Sequence, residues 1–162
     1  MNVAVFPGSK GVLDLNTGMW GFWKKLKFHG GPYHKRPPGA FGVCVREEQV
    51  SGLPKDVWVP IEDFSVPGPN MDELIRTSIK QTISAAISGQ TVWIGCMGGM
   101  GRTGLFMALM AKTMGIANPV EYVRENYYSH AVETKTQMQY VREFETEDLR
   151  WWLVKQRLRR WF

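Results

Sequence analysis

The sequence is poor in cysteine and contains no long apolar run. Its 162 residues include two cysteines, Cys44 and Cys96, which are too few for a disulfide framework and lack C-x-x-C metal spacing. The three histidines are scattered, which disfavours a transition-metal centre. No apolar stretch approaches the ~20 residues of a membrane span, and the first residues lack the pattern of a secretory signal. We therefore expect one domain, residues 1–162, in the reducing cytoplasm, with free thiols and no metal or cofactor.

Acidic residues are absent from two stretches, residues 16–45 and residues 150–162, whereas the net charge is +5. Basic surfaces attract anionic partners, although a merely solvated basic face explains either stretch equally well. We interpret residues 16–40, rich in glycine, proline and aromatic residues, as a long loop. We interpret residues 148–162 as a basic amphipathic helical tail. Its apolar face either packs on the domain or touches an anionic membrane surface, and consists of Trp151, Val154, Leu158 and Trp161.

Short apolar runs bounded by glycine and proline predict strands at 3–6, 41–45, 56–61 and 91–96. Between the last two strands, isoleucines recur at every fourth residue from Ile75 to Ile87, which predicts one face of a helix. Asn70 is the predicted cap of this helix, with Glu73 at the N3 position, and Gly89 closes it.

Three more helices are predicted in the second half of the chain. One follows Arg102 and ends at Gly115, and a short one has Pro119 at its first position. The last is one long terminal helix that starts with a capping box of Thr134 and Gln137. The strand–helix–strand order predicts an α/β fold, with a central, mostly parallel sheet of four or five strands flanked by helices.

Residues 94–104 read IGCMGGMGRTG, a glycine-rich turn between a predicted strand and a predicted helix. Gly98, Gly99 and Gly101 permit backbone conformations that turn amide N–H groups toward a bound anion, reinforced by the helix N-terminus. Arg102 adds a fork that binds two phosphate oxygens. The same field favours a thiolate at Cys96, which makes it a nucleophile aimed at phosphorus. A Walker A loop would end in Gly-Lys-Ser/Thr, which excludes an ATP-binding P-loop.

This turn resembles the Cys-x-x-Gly-x-x-Arg-Thr-Gly loop of the cysteine-dependent protein tyrosine and dual-specificity phosphatases, and especially the kinase-associated phosphatase type and its bacterial relatives. VPIEDFSVPGPN resembles the family's mobile general-acid segment, and AVETKTQMQYVREFE resembles the segment that carries a water-positioning glutamine. The resemblance covers roughly residues 57–145 and implies the phosphatase fold. The chain departs from the family at Gly95, where a histidine that shapes the loop and tunes the thiol is usual.

The resemblance implies a role for each matching residue. Cys96 attacks phosphorus and forms a phosphocysteine, while Arg102 holds the equatorial oxygens. Thr103 hydrogen-bonds the departing thiolate, or is an ordinary first-turn hydroxyl. The phosphate is bound by the loop residues Met97, Gly98, Gly99, Met100, Gly101 and Arg102.

Asp63 is implied as the general acid that protonates the leaving group and then deprotonates water. Its rivals are Glu62, Asp72 and Glu73, the last two being equally well explained as first-turn acids of a helix. Gln137 is implied as the water-positioning residue, although the capping box already gives it a structural role and Gln139 is a near rival.

The loop interior, MGGMG, contains no lysine, whereas members of the resembling family that act on inositol phospholipids often carry basic residues there. The resemblance therefore implies a singly phosphorylated target. Phosphotyrosine on a protein or peptide is the first expectation, with phosphoserine or phosphothreonine next. The basic aromatic stretch at residues 20–39 suits a wall of the substrate site but also single-stranded nucleic acid. An RNA 5′-phosphatase or triphosphatase therefore stays an alternative, as does a non-catalytic phosphate-reading module. Cys44, in a predicted strand, is more typical of a core residue than of a redox partner.

Overall fold

A computed structural model of the chain describes residues 6–16, 25–48 and 52–159. Within these residues a five-stranded sheet has the spatial order β1-β2-β5-β3-β4. The strands are β1 (Val12–Asn16), β2 (Lys25–Pro32), β3 (Phe41–Cys44), β4 (Val57–Trp58) and β5 (Val92–Cys96). β1 runs antiparallel to β2, and the other neighbouring pairs are parallel. This is the mostly parallel α/β sheet that the sequence predicts.

Helices flank this sheet and supply much of the core. In the described part of the chain they are α1 (Asp72–Ile87), α2 (Gly101–Thr113), α3 (Pro119–Asn126), α4 (Lys135–Glu143) and α5 (Glu147–Arg159). Ile75, Ile79 and Ile83 of α1 are fully buried, as the fourfold spacing predicts. α2 is buried around almost its entire circumference, which fixes the helix that begins at the glycine-rich turn. None of the helices in these residues is long and apolar enough to cross a bilayer.

The strands predicted at 41–45 and 91–96 are confirmed as β3 and β5, and the one at 56–61 shrinks to the two residues of β4. The strand predicted at 3–6 lies almost wholly outside the described residues. The interpretation of residues 16–40 as a long loop is wrong, because residues 25–32 form β2. In that strand lysines alternate with buried Leu26 and Phe28, which is the period-2 pattern of a half-buried strand.

The prediction that Asn70 caps α1 is wrong by one residue. The helix begins at Asp72 with Met71 at the N-cap, which makes no side-chain capping bond. A turn precedes the helix, closed by a hydrogen bond from the Met71 N–H to the Gly68 carbonyl. At the other end Gly89 has a φ of +89° and closes the helix as predicted.

The prediction of a single long terminal helix is also wrong, because a short non-helical segment separates α4 from α5. The capping box of Thr134 and Gln137 is present at the start of α4. At its end, Lys112 Nζ donates to the carbonyls of Val141, Arg142 and Phe144, at 2.9, 2.8 and 2.7 Å. These carbonyls are thus satisfied by a side chain from α2 rather than by further helical turns.

The basic tail is helical through Arg159, but a different face from the predicted one packs on the domain. Leu149 and Leu153 are buried, whereas Trp151 and Leu158 are 61% and 54% exposed. Contact of the exposed face with an anionic membrane stays a prediction, as does the single-domain organisation of residues 1–162.

Candidate active site

The glycine-rich turn joins the central strand β5 to the N-terminus of α2. Cys96 is the last residue of β5, and α2 begins five residues later at Gly101. Between them Gly99 has a φ of +82°, the left-handed region that glycine accepts at little cost. A Cβ on Gly99 would lie 2.5 Å from the Cα of Gly31 in β2. The turn therefore rests directly on the backbone of the neighbouring strand, which requires glycine at this position.

Two hydrogen-bond donors point at the sulfur of Cys96. The backbone N–H of Gly99 and the hydroxyl of Thr103 each donate to Sγ, both at 3.2 Å. The thiol is 3% exposed and lies at the positive end of α2. The sulfur therefore lies where two hydrogen-bond donors and the N-terminus of α2 meet.

Arg102 is 2% exposed and is held by groups from outside the turn. Its Nη1 donates to Glu48 Oε2 at 2.7 Å and to the Ile61 carbonyl at 2.8 Å, and its Nη2 lies 3.3 Å from Asp63 Oδ1. Burial alone would lower the pKa of Arg102, but the Glu48 hydrogen bond and the nearby negative charges raise it. The guanidinium therefore stays charged beside the thiol.

Asp63 lies on an exposed turn above Arg102, with its side chain 53% exposed. The next residue, Phe64, adopts a φ of +56°, and its N–H donates to Asp63 Oδ1 at 3.0 Å. Gln137 is fully buried, and its Nε2 donates to the Ser65 carbonyl at 3.0 Å. Gln137 thus performs its capping role and also ties α4 to the turn that carries Asp63.

The rivals of these residues lie elsewhere. Asp72 pairs with Arg76 at 2.8 Å, one helical turn along α1, and Glu73 shares that exposed first turn. Glu62 is exposed. Gln139 is exposed and contacts Glu143 of its own helix. Of the predicted acids and their rivals, Asp63 is the one that pairs with Arg102 in the described residues.

A second carboxyl group that the sequence analysis missed stands beside the turn. A Cβ on Gly101 would lie 2.9 Å from Glu133 Oε2, so this carboxylate covers the first residue of α2. Burial and then the charge of Asp63 raise the pKa of Glu133, against the opposing effects of Arg102 and the Gly101 N–H. The sequence signal that could have indicated Glu133 is its position directly before Thr134, in the segment that carries Gln137.

Gly95 leaves no room for the histidine that is usual in the resembling family. A Cβ there would lie 2.6 Å from the Gly31 carbonyl oxygen and 2.7 Å from Tyr33 Cα, both backbone atoms. Cys44 pairs with Gly95 across the parallel strands, so its side chain and that of Cys96 point to opposite faces of the sheet. Burial raises the pKa of Cys44, as suits a core thiol.

The mouth of the site is partly apolar. Met97 is 48% exposed and Phe64 is 62% exposed, one in the turn and the other next to Asp63. Lys25 and Lys27 of the predicted substrate wall lie at the far end of β2, roughly 23 and 16 Å from Pro32 at ~3.3 Å per residue. Pro32 is the residue paired with Cys96, so these two lysines are remote from the thiol.

No protein-family model matches the chain. Two uncharacterized proteins of Methanocaldococcus jannaschii, MJECL20 and MJ0215, are each 43% identical to it over 88 residues, or 54% of the chain. The chain spans little more than half the length of these curated relatives, since the match covers 58% and 54% of them.

Among solved structures, Tk-PTP in the G95A mutant form superposes with a TM-score of 0.52 at 23% identity, covering 68% of this chain and 78% of that one. PTPMT1 in complex with PI(5)P superposes with a TM-score of 0.51 at 13% identity, covering 72% of this chain and 80% of that one. The chain therefore has the fold of the tyrosine and dual-specificity phosphatases, which confirms the predicted fold class.

Proposed function

We propose that this chain is a cysteine-dependent phosphatase that hydrolyses phosphate monoesters through a phosphocysteine, with phosphotyrosine in a protein or peptide as the favoured substrate. The observation that carries the proposal is the convergence on one sulfur atom. Gly99 and Thr103 donate to Cys96 Sγ, and the buried guanidinium of Arg102 adjoins it. This arrangement of thiol, donors and guanidinium, in a fold that known phosphatases share, supports the proposal.

In the first step the Cys96 thiolate attacks phosphorus, the S–P bond forms and the P–O bond to the leaving group breaks. Asp63, on the exposed turn above Arg102, gives its proton to the departing oxygen. Arg102 and the backbone N–H groups of the turn hold the equatorial oxygens, whose charge must be stabilised in the transition state. Asp63 pairs with Arg102 in this structure, so the two groups already lie on the same side of the site.

In the second step water attacks phosphorus, the S–P bond breaks and inorganic phosphate leaves. Asp63 accepts the proton from the water, which restores its starting state. The hydroxyl of Thr103, at 3.2 Å from Sγ, stabilises the thiolate as it departs. Gln137 contributes by fixing the Asp63 turn through the Ser65 carbonyl.

A singly phosphorylated aromatic substrate fits the surroundings of the thiol best. Phe64 and Met97 offer exposed apolar surface for a phenyl ring at the mouth. Glu133 beside the turn adds negative charge, which repels a second phosphate group. Both features disfavour a 5′-triphosphorylated RNA, whose terminal phosphate is followed by further charges.

The mechanism is tested with p-nitrophenyl phosphate in the presence of EDTA. Wild type is expected to release nitrophenol, and Cys96→Ser to abolish release. Cys44→Ser is the matched control, because it removes the other thiol, whose side chain lies on the opposite sheet face; it should retain activity. Release that requires added Mg²⁺, or that survives Cys96→Ser, would contradict the thiol mechanism.

Besides Glu48, which is hydrogen-bonded to Arg102, two carboxyl groups adjoin the site, so the acid is assigned by comparing Asp63→Asn with Glu133→Gln. Asp63→Asn should lower kcat about 100-fold for a substrate with a poor leaving group and leave KM nearly unchanged. Glu133→Gln should keep most of kcat. The reverse pattern would transfer the acid role to Glu133.

The substrate class is decided by a panel of phosphotyrosine, phosphoserine and phosphothreonine peptides against 5′-monophosphorylated and 5′-triphosphorylated RNA. The highest kcat/KM is expected for phosphotyrosine peptides. Glu133→Gln is informative again, because removing its charge should improve activity on triphosphorylated RNA more than on the peptides. Preference of wild type for RNA would establish the alternative function.

A further inference from the structure

The loop-shaping histidine of the resembling family is missing here, and Gly95 cannot carry a replacement. Any side chain at residue 95 would run into backbone atoms of Gly31 and Tyr33 at 2.6 to 2.7 Å. Backbone atoms cannot move aside as the end of a flexible side chain can. A group that orders the turn must therefore reach it from another part of the chain.

Tyr127, the residue that follows α3, contacts the turn on the side to which the Gly99 carbonyl points. Its hydroxyl donates to the Gly99 carbonyl oxygen at 2.6 Å, and the side chain is 1% exposed. Burial, together with the charge of Cys96, raises the pKa of Tyr127. The hydroxyl therefore keeps its proton and remains a donor to that carbonyl.

Gly30 has no side chain, which leaves space for the Tyr127 hydroxyl. A Cβ on Gly30 of β2 would lie 2.9 Å from Tyr127 Oη and 2.6 Å from the end of Met107. Phe6 packs against the ring edge-to-face, with 6.4 Å between ring centroids. The ring is thus fixed on several sides, and its hydroxyl has one defined position.

We propose that Tyr127 is the positioning residue of the phosphate-binding turn: by holding the Gly99 carbonyl outward, it aims the Met100 N–H into the site. In a trans peptide the C=O and the following N–H point in opposite directions, and none of the described peptide bonds is cis. Fixing the carbonyl on one side therefore fixes the amide on the other. The proposal rests on the proposed phosphatase function, since it names a residue that prepares that same site.

The test compares Tyr127→Phe with Tyr122→Phe. Both tyrosines donate to a backbone carbonyl at 2.6 Å, Tyr127 to Gly99 and Tyr122 to Asp14 of β1. Each variant loses one hydroxyl and keeps its ring. Comparing the two variants therefore distinguishes the general effect of losing a buried hydrogen bond from the specific effect of disordering the glycine-rich turn. We expect Tyr127→Phe to lower kcat/KM about tenfold, less than outright loss of an oxyanion donor. Tyr122→Phe should stay within about twofold of wild type, since Asp14 lies outside the site.

A readout independent of turnover is the binding of inorganic phosphate, followed by the amide chemical shift of Met100. In wild type and in Tyr122→Phe, phosphate should shift this amide strongly, as expected for an N–H that donates to the anion. In Tyr127→Phe the shift should shrink and phosphate should bind about tenfold more weakly. Unchanged phosphate binding and an unchanged Met100 shift in Tyr127→Phe would overturn the proposal.

Gly30→Ala provides a second route that does not depend on Tyr127→Phe folding well. The added methyl group would meet both the end of Met107, at 2.6 Å, and the Tyr127 hydroxyl, at 2.9 Å, so it should displace that hydroxyl and lower kcat/KM in wild type. In the Tyr127→Phe background the same substitution should cost less, because the displaced group is already absent. Equal effects in both backgrounds would refute the proposal. Loss of the phosphatase mechanism itself would appear differently, as activity that survives Cys96→Ser.

Discussion

Glu48→Gln probes how Arg102 is held. Glu48 accepts from Arg102 at 2.7 Å and lies 3.6 Å from Arg46, and the two arginine side chains are only 2% and 8% exposed. The substitution keeps the size of the side chain but leaves two nearly buried guanidinium groups without that carboxylate. Breaking a fully buried pair costs about 3–5 kcal/mol. Because Glu48 is itself 37% exposed and the Ile61 carbonyl remains, we expect about 1–2 kcal/mol.

The pH dependence of this loss follows from the pKa of Glu48. The hydrogen bond from Arg102 lowers the pKa of Glu48 below its ordinary value. Partial burial raises this pKa, but the hydrogen bond has the larger effect. A carboxyl group with a lowered folded-state pKa stabilises the fold fully above its unfolded pKa. That contribution is lost as the pH falls through the folded value. The stability difference between wild type and Glu48→Gln should therefore be full at neutral pH and shrink as the pH falls below the ordinary pKa range of a glutamate carboxyl group.

Urea unfolding of both proteins across this range measures the difference, and kcat/KM for p-nitrophenyl phosphate should fall about tenfold at neutral pH. Glu47→Gln is the matched control, because Glu47 is the exposed neighbouring carboxyl. It should change neither quantity. A stability difference that stays constant from neutral to acid pH would refute the assigned role of the Glu48–Arg102 pair.

Three further predictions concern Glu133, Lys112 and Thr103. Glu133→Gln should be more stable than wild type by a few tenths of a kcal/mol at neutral pH; because burial and Asp63 raise the pKa of Glu133, the gain should vanish below about pH 4 in urea titrations. Lys112→Met should lower the free energy of unfolding by about 2 kcal/mol, since three carbonyls at the end of α4 lose their donor, whereas an unchanged urea midpoint would show that water replaces it. Thr103→Val should slow the second chemical step more than the first, so that intact-mass spectrometry of quenched reactions detects phosphorylated Cys96; equal slowing of both steps would leave Thr103 a structural role.

Local sequence predicted the elements whose signals are local. The isoleucine spacing of α1, Pro119 at the start of α3 and the Thr134–Gln137 capping box all appear in the structure. The strand–turn–helix around Cys96 was equally visible, because glycines, strand and helix former are consecutive. β2 carries the alternation of lysine with buried Leu26 and Phe28 that is typical of a strand, but the glycines and prolines beside it are equally typical of a loop.

Tertiary structure decided what depends on residues far apart in sequence. The break after α4 arises because Lys112 satisfies its last carbonyls, and nothing near residue 144 in the sequence encodes that contact. The same holds for two hydrogen bonds at the candidate site, from Arg102 to Glu48 and from Tyr127 to the Gly99 carbonyl. Each of them joins residues that are far apart in the sequence. The sequence by itself determined the strand, the glycine-rich turn and the helix around residues 96–103, because the signals for these elements are consecutive in the chain. Only the packing of β2, α3 and the segment before residue 49 against that turn determined which groups hold it in position, because side-chain contacts between distant segments have no local periodicity.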